Sequence, residues 1–230
     1  MVWAVVPAAG SGARMQSATP KQYLPLAGKT VLEHTLAALF SVERITGVVV
    51  AIADADSAWP VVADTFTGKR LEQVAGGEQR CHSVLHALTY LSGHAGDDDW
   101  VLVHDAARPC VRPADIDVLI DTLVAATDGG LLGVPVCDTM KRVAATGGVT
   151  ATVDRQGLWH ALTPQLFRLG QLRAALQQGI AAGISLTDEA SAMEAAGYTP
   201  RMVEGHRDNI KITVASDLAL AAHYLENRDT

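Results

Sequence analysis

The chain alternates short, uninterrupted apolar runs with segments of helical periodicity. Val2–Val6, Val48–Ile52, Val101–Val103 and Leu131–Val136 carry no polar side chain at any position. A strand with one face in water alternates apolar and polar residues, so a strand without alternation is one buried on both faces. Between these runs Leu32, Leu36, Leu39 and Phe40 recur at helical spacing. So do Val84, Leu85, Leu88 and Leu91, and then Ile116, Leu119, Ile120 and Leu123. Strands separated by single helices need right-handed crossovers and give a mainly parallel sheet covered by helices on both faces. The expected class is α/β, with ligands outside the carboxyl ends of the strands. A hydrophobic content of 49% supplies the core, and 230 residues fit a single domain spanning 1–230.

Local signals refine this outline. Thr30 is placed to cap the first helix and Pro113 to open another. Ala58–Thr65, Leu172–Ile180, Ala190–Ala196 and Leu218–Leu225 read as helices. Leu71–Val74, Pro200–Val203 and Ile210–Val214 read as short strands. The rhythm breaks between Val136 and Trp159. There, β-branched residues flank Gly147–Gly148, the signature of a hairpin turn. The segment at about 137–157 therefore reads as a projecting β-hairpin arm with enough apolar character to pack on something.

Charge and cysteine content exclude several functions. The formal net charge is −7 and aromatics make up 5% of the chain. A chain of that sign gains no general attraction to nucleic acid or an anionic membrane, and it lacks the rings for a base-stacking platform. Cys81, Cys110 and Cys137 are an odd, widely spaced set, which argues against a disulfide framework. The N-terminus has no basic segment and its apolar run breaks at Pro7, so it reads as neither a signal peptide nor a membrane span. The expectation is a cytoplasmic protein.

The first chemical candidate is the loop PAAGSGARM, Pro7–Met15, directly after the first strand. Its two glycines let backbone N–H groups turn inward toward an anion, and Arg14 and then Lys21 add cations. Such a loop suits a triphosphate. Taken alone it also reads as a solvated turn with two surface cations. The dinucleotide fingerprint fails, because Met15 stands where its third glycine belongs. Ala27–Thr30 imitates the tail of a Walker A loop, but Tyr23 replaces its first glycine.

HDAARP, His104–Pro109, follows the strand ending at Val103, at the end where ligands bind. Asp105 either serves a ligand there or caps the loop and pairs with Arg108. His82 and His86 have zinc-compatible spacing but no third ligand near them in sequence, and read as surface or packed histidines. Asp97–Asp99 reads as a solvated turn, and Asp188–Glu189 as charge at a helix N-terminus. DTMKR and VDR lie on opposite legs of the arm, so Thr139 and Arg155 can approach each other. Arg155 alternatively pairs with Asp154 or Asp138 on the surface.

The blocks PAAGSGARM with PKQYLPL, LEHTL, GGEQRCHSV, VLVHDAARPCV, PVCDTMKR, VDRQGLWHALTPQ, TDEASAME and VEGHRDNIKIT occur in this order. Together they resemble the 2-C-methyl-D-erythritol 4-phosphate cytidylyltransferases of the non-mevalonate isoprenoid pathway, over nearly the whole chain. The resemblance implies a Rossmann-like nucleotidyltransferase, a homodimer built through the β-arm, that uses CTP and Mg²⁺ and releases pyrophosphate. It implies that Arg14 and Lys21 stabilise the transition state. It implies CTP contacts from Pro7, Ala8, Ala9, Gly10, Ser11 and Gly12, from Gly77, Arg80 and Ser83 at the base, and from Asp105 and Ala106 at the ribose. For methylerythritol phosphate it implies Arg108, Thr187, Asp208 and Lys211, with Thr139 and Arg155 from the partner subunit. Mg²⁺ is expected to be held mainly by the triphosphate, with no dedicated protein metal site.

The chemistry agrees with the residue types. A phosphate that attacks the α-phosphorus of a nucleotide is already an anion, so the site needs cations rather than a nucleophile–base dyad. Two other readings remain at this point. One is a ribitol 5-phosphate cytidylyltransferase, which shares the nucleotide half. The other is a dinucleotide-dependent oxidoreductase, weakened by Met15 and by the distance of Asp54 from the loop.

Overall fold

The computed structural model describes residues 1–10 and 19–227. Its elements run in the order β1 (Val2–Pro7), β2 (Pro25–Leu26), β3 (Lys29–Thr30), α1 (Val31–Phe40), β4 (Ile45–Ile52), α2 (Trp59–Asp64), β5 (Leu71–Ala75), α3 (Arg80–Leu91), β6 (Trp100–Val103) and α4 (Pro113–Leu123). There follow β7 (Gly130–Pro135), β8 (Met140–Val143), β9 (Val149–Val153), β10 (Trp159–Arg168), α5 (Leu169–Ala181), α6 (Glu189–Ala195), β11 (Arg201–Glu204) and α7 (Ala215–Glu226). Among the described residues the main sheet has seven strands in the order β11-β7-β10-β6-β1-β4-β5. All pair in parallel except β10, which runs antiparallel to both β6 and β7.

The unalternating runs do what their composition requires. Along β1, Val2, Ala4 and Val6 face one apolar layer with α1, α2 and α4, while Trp3 and Val5 face the other with α3, α5 and α6. The central strands are thus buried on both sides, each fully buried valine contributing about 1.5–3 kcal/mol by burial. Thr30 caps α1 as its position suggests: Glu33 N donates to Thr30 Oγ1 at 3.2 Å and Thr30 N to the Glu33 carboxylate at 2.6 Å. After β1 the chain builds β4 and β5 on one side, then crosses back to lay β6 on the other. The carboxyl ends of β1 and β6 therefore form the switch point at which an open α/β sheet leaves a crevice.

Two strand expectations change. Trp159–Arg168, not foreseen as a strand, is the longest one described and inserts into the middle of the sheet. Ile210–Val214 is not a strand. Its backbone N–H groups go elsewhere, Ile210 N to Asp208 O at 2.7 Å and Ile212 N to Ala107 O at 2.9 Å. The segment is thereby tied to the loop after β6.

The arm forms as a separate two-stranded sheet, β8 with β9, closed through Gly147 at φ +85°. Met140, Val143 and Val149 on it are exposed. No helix among the described residues is long and apolar enough to cross a membrane.

Candidate active site

The crevice at the ends of β1 and β6 is a cleft of about 440 Å³. Pro7, Ala8, Ala9 and Gly10 form one wall, Gly77–Arg80 and Ser83 another, and Asp105–Ala107 the floor, with Lys21, Gln22 and Lys211 completing it. Gln22, buried in the 3₁₀ turn Lys21–Tyr23, donates to Ala8 O at 2.7 Å and fixes the loop after β1. Gly76 and Gly77 are demanded by close approach: a Cβ at Gly76 would lie 2.2 Å from the Ala9 Cβ, and one at Gly77 2.4 Å from the His82 Cβ. The Gly77 N–H donates to Ser83 Oγ at 3.0 Å, which pins the turn to the first turn of α3. Lys21 Nζ reaches Ile212 O at 3.5 Å. Ser11, Gly12 and Arg14 lie outside the described residues.

A second cleft of about 260 Å³ adjoins the first, lined by Arg108, Ala161–Thr163, Gln165, Thr187 and Asp188. Arg80, Asp105 and Lys211 belong to both. Asp105 is the centre of this shared wall. Its Oδ1 accepts from Arg80 Nε at 2.8 Å, Lys211 Nζ sits 2.8 Å from its Oδ2, and Arg108 Nε lies 3.6 Å from the same oxygen. Burial would push the carboxyl upward, but Arg80, Lys211 and Arg108 outweigh it and hold Asp105 far below the ordinary carboxylate range. Arg80 is also desolvated, yet the Glu189 and Asp105 charges outweigh this and keep it firmly protonated. Glu189 takes Arg80 in a two-pronged pair, Nη1 to Oε1 at 2.6 Å and Nη2 to Oε2 at 2.9 Å.

Behind this wall the loop after β6 is locked from below. His104, fully buried, bonds through Nε2 to Arg108 O at 3.1 Å and through Nδ1 to Thr163 Oγ1 at 3.0 Å. A carbonyl only accepts, so Nε2 carries the proton of the neutral ring and Nδ1 accepts from the threonine. Thr163 Oγ1 in turn accepts from Asp105 N at 3.0 Å. Burial lowers the His104 pKa to about 4, with the Arg108 carbonyl opposing only in part. His104 is thus a structural group and not a base exposed to substrate.

The sequence-based site residues divide by location. Ala106 joins Lys21, Gly77, Arg80, Ser83, Asp105 and Lys211 in the first cleft; Arg108 and Thr187 line the second. Asp208 lines neither. It accepts from Arg112 Nε at 2.8 Å and Nη2 at 2.5 Å, beside a separate surface hollow. Thr139 and Arg155 are exposed on the arm and line neither cleft of their own chain. Arg155 pairs with neither Asp154 nor Asp138; it donates to the Cys137 carbonyl. Glu189, Gln22, Glu78 and Gln79 were not foreseen as site residues. Gln22 falls inside PKQYLPL, Glu78 and Gln79 inside GGEQRCHSV, and Glu189 inside TDEASAME, each in a block that carries a foreseen site residue. Among the described residues no three His, Cys, Asp or Glu side chains converge to hold a metal ion, and none of the three cysteines forms a disulfide.

Comparison with known proteins adds to this geometry. The family description "2-C-methyl-D-erythritol 4-phosphate cytidylyltransferase" matches residues 2–227. A protein of that name from Hahella chejuensis is 54% identical over 224 residues, covering 97% of this chain and 92% of its own. One from Aeromonas hydrophila subsp. hydrophila is 53% identical over 226 residues, covering 98% and 90%. A crystal structure of a 4-diphosphocytidyl-2C-methyl-D-erythritol synthase superposes with a TM-score of 0.85 at 36% identity, over 97% of this chain and 98% of that one. The Francisella tularensis 2-C-methyl-D-erythritol 4-phosphate cytidylyltransferase gives a TM-score of 0.82 at 36% identity, over 96% and 97%.

Proposed function

The chain belongs to the 2-C-methyl-D-erythritol 4-phosphate cytidylyltransferase family, and from that premise we propose how its two clefts share the reaction. The enzyme joins CTP and 2-C-methyl-D-erythritol 4-phosphate to give 4-diphosphocytidyl-2-C-methyl-D-erythritol and pyrophosphate. CTP occupies the first cleft, its phosphates against the loop after β1 and its base against Gly77, Arg80 and Ser83. The sugar phosphate occupies the second cleft, gripped by Arg108 and Lys211. The observation that carries this reading is the shared wall: two adjoining clefts meet at Arg80, Asp105 and Lys211, so two anionic substrates would meet where cations converge.

The chemistry follows from that meeting. An oxygen of the sugar phosphate attacks the α-phosphorus of CTP in line, and the α–β bridging bond breaks to release pyrophosphate. The nucleophile is already deprotonated, so no base is required. The chain supplies cations that lower the repulsion between the two anions and stabilise the charge spread over the transition state. Lys21 and Arg14 take that role at the triphosphate, and Lys211 at the incoming phosphate. Asp105 bridges Arg80 and Lys211 and holds both in place; without its charge they would repel each other.

The donor set fits a divalent ion that arrives on the nucleotide. Both Asp105 oxygens are engaged by Arg80 and Lys211, and Glu78 on the rim is exposed. Mg²⁺ would be held mainly by phosphate oxygens and water, Asp105 and Glu78 being the acids that line the cleft, and when bound it would neutralise charge on the triphosphate.

The exposed apolar residues of the arm support a homodimer in which each arm packs on the partner. A lone two-stranded ribbon is marginal in water and needs a surface to cover it. In such a dimer Thr139 and Arg155 of one subunit complete the second cleft of the other, and Asp208 faces that shared edge. The bacterial relatives, and three cysteines of which none forms a disulfide, support a cytoplasmic location.

Pyrophosphate release tests the reading. CTP with methylerythritol phosphate should turn over, while ribitol 5-phosphate or UTP should be poor substitutes. A site built around the cytosine amine leaves groups unpaired against uracil. Equal rates with UTP, or with ribitol 5-phosphate, would reject the base or the sugar assignment respectively.

A further inference from the structure

Glu189 is the first residue of α6 and has no exposed surface, though it carries a carboxylate. A charge is buried this completely only when it is paired, and its partner is Arg80, held by both carboxylate oxygens. The helix that carries it is itself clamped. Gln165 on β10, also buried, donates from Nε2 to Asp188 Oδ2 at 2.9 Å and accepts from Ala190 N at 2.8 Å. β10 also supplies Thr163, which holds Asp105 through its backbone N–H. The Arg80 guanidinium is therefore suspended between two carboxylates, Asp105 and Glu189, that are both anchored to one strand. Charge at the shared wall stands at three cations, Arg80, Arg108 and Lys211, against the two carboxylates.

We propose that Glu189 is a positioning residue for the transfer reaction: it holds the Arg80 guanidinium at the nucleotide cleft and keeps it from competing with Lys211 for Asp105. This rests on the assignment of the first cleft to CTP. Without the Glu189 charge, Arg80 has one anion left and turns its whole fork onto Asp105. Lys211 then loses its partner oxygen, and the wall between the clefts loses its order. The cleft also gains one unit of positive charge. Nucleotide binding in the ground state is therefore not weakened, while the alignment of the two phosphates is.

Glu189→Gln keeps the size and one acceptor and removes the charge. The expected result is a kcat lower by about tenfold or more, with KM for CTP unchanged or reduced. In an Arg80→Ala background the same substitution should cause no further loss, because Glu189 acts through Arg80. A normal kcat in E189Q, a raised KM with kcat intact, or an equal loss in both backgrounds would overturn the proposal. Should E189Q fail to fold, Glu189→Asp, which keeps the charge but shortens the reach, is read by the same criteria. Arg80→Ala alone tests the underlying assignment: if it leaves KM for CTP unchanged, the cleft assignment fails, whatever Glu189 does.

Discussion

Acidification from about pH 7.5 to about pH 4.5 should destabilise this protein through His104 before most carboxylates are protonated. The ring is fully buried, neutral, and bonded at both nitrogens, with its pKa lowered to about 4. In the unfolded chain it titrates near ~6.5. The unfolded state therefore takes up a proton first as the pH falls, and stability present above ~6.5 is lost down to about pH 4. A gap of about 2.5 pH units corresponds to about 3 kcal/mol, with most of the loss complete by about pH 4.5. For a domain of this size that is a fall in Tm of roughly 5–10 °C. The Asp105 contribution has the opposite origin and a lower window. Its folded pKa is depressed, so its stabilisation is present above about pH 4 and lost below it. The assay is urea unfolding at several pH values and fixed protein concentration, wild type against His104→Gln, which keeps a donor for the Arg108 carbonyl. The variant starts less stable, and its curve should be flatter by about 2–3 kcal/mol over this range. Parallel curves would refute the argument that a neutral buried imidazole holds the loop after β6.

Lys21→Ala should lower turnover by about 10²-fold or more with little change in Tm, since the side chain sits at a cleft where charge builds up; near-normal turnover removes it from the mechanism. Arg155→Ala and Lys211→Ala chains, each inactive alone, should recover activity when mixed, because a mixed dimer contains one site with both cations. If subunits exchange and the mixture stays inactive, the clefts are not shared between subunits.

The parallel part of the sheet was legible because burial on both faces leaves no polar residue in Val2–Val6, Val48–Ile52 or Val101–Val103. β10 was not legible for the opposite reason. Thr163, Pro164 and Gln165 interrupt its apolar pattern, and two of them, Thr163 and Gln165, are buried polar groups whose partners are set only in three dimensions. The arm was readable from Gly147–Gly148 between β-branched residues, since a hairpin turn is a local event. Ile210–Val214 misled because Ile212, and in part Ile210, is buried against the loop after β6 and α7 rather than in a ladder, while Val214 is exposed.

In the site, Lys21 stood out as a cation following the glycine loop and Asp105 as an acid at a strand end, while Arg80 and Lys211 were legible only through the family resemblance of GGEQRCHSV and VEGHRDNIKIT. Glu189 did not, because an acid at the start of a helix is ordinary, and nothing local shows that it reaches Arg80, 109 positions away. Asp208 sits with Arg112 for the same kind of reason: the partner of a charge is chosen by the fold and not by the motif.

The central claim is that the sugar phosphate itself attacks the α-phosphorus of CTP across the wall formed by Arg80, Asp105 and Lys211. Methylerythritol phosphate labelled with oxygen-18 at its non-bridging phosphate oxygens tests this most directly, with products read by isotope-shifted phosphorus NMR. The account predicts that every label stays in the diphosphocytidyl product, one of them in the new bridge, and that the pyrophosphate is unlabelled. Label in the pyrophosphate would contradict it, because the bond would then have formed at a different phosphorus.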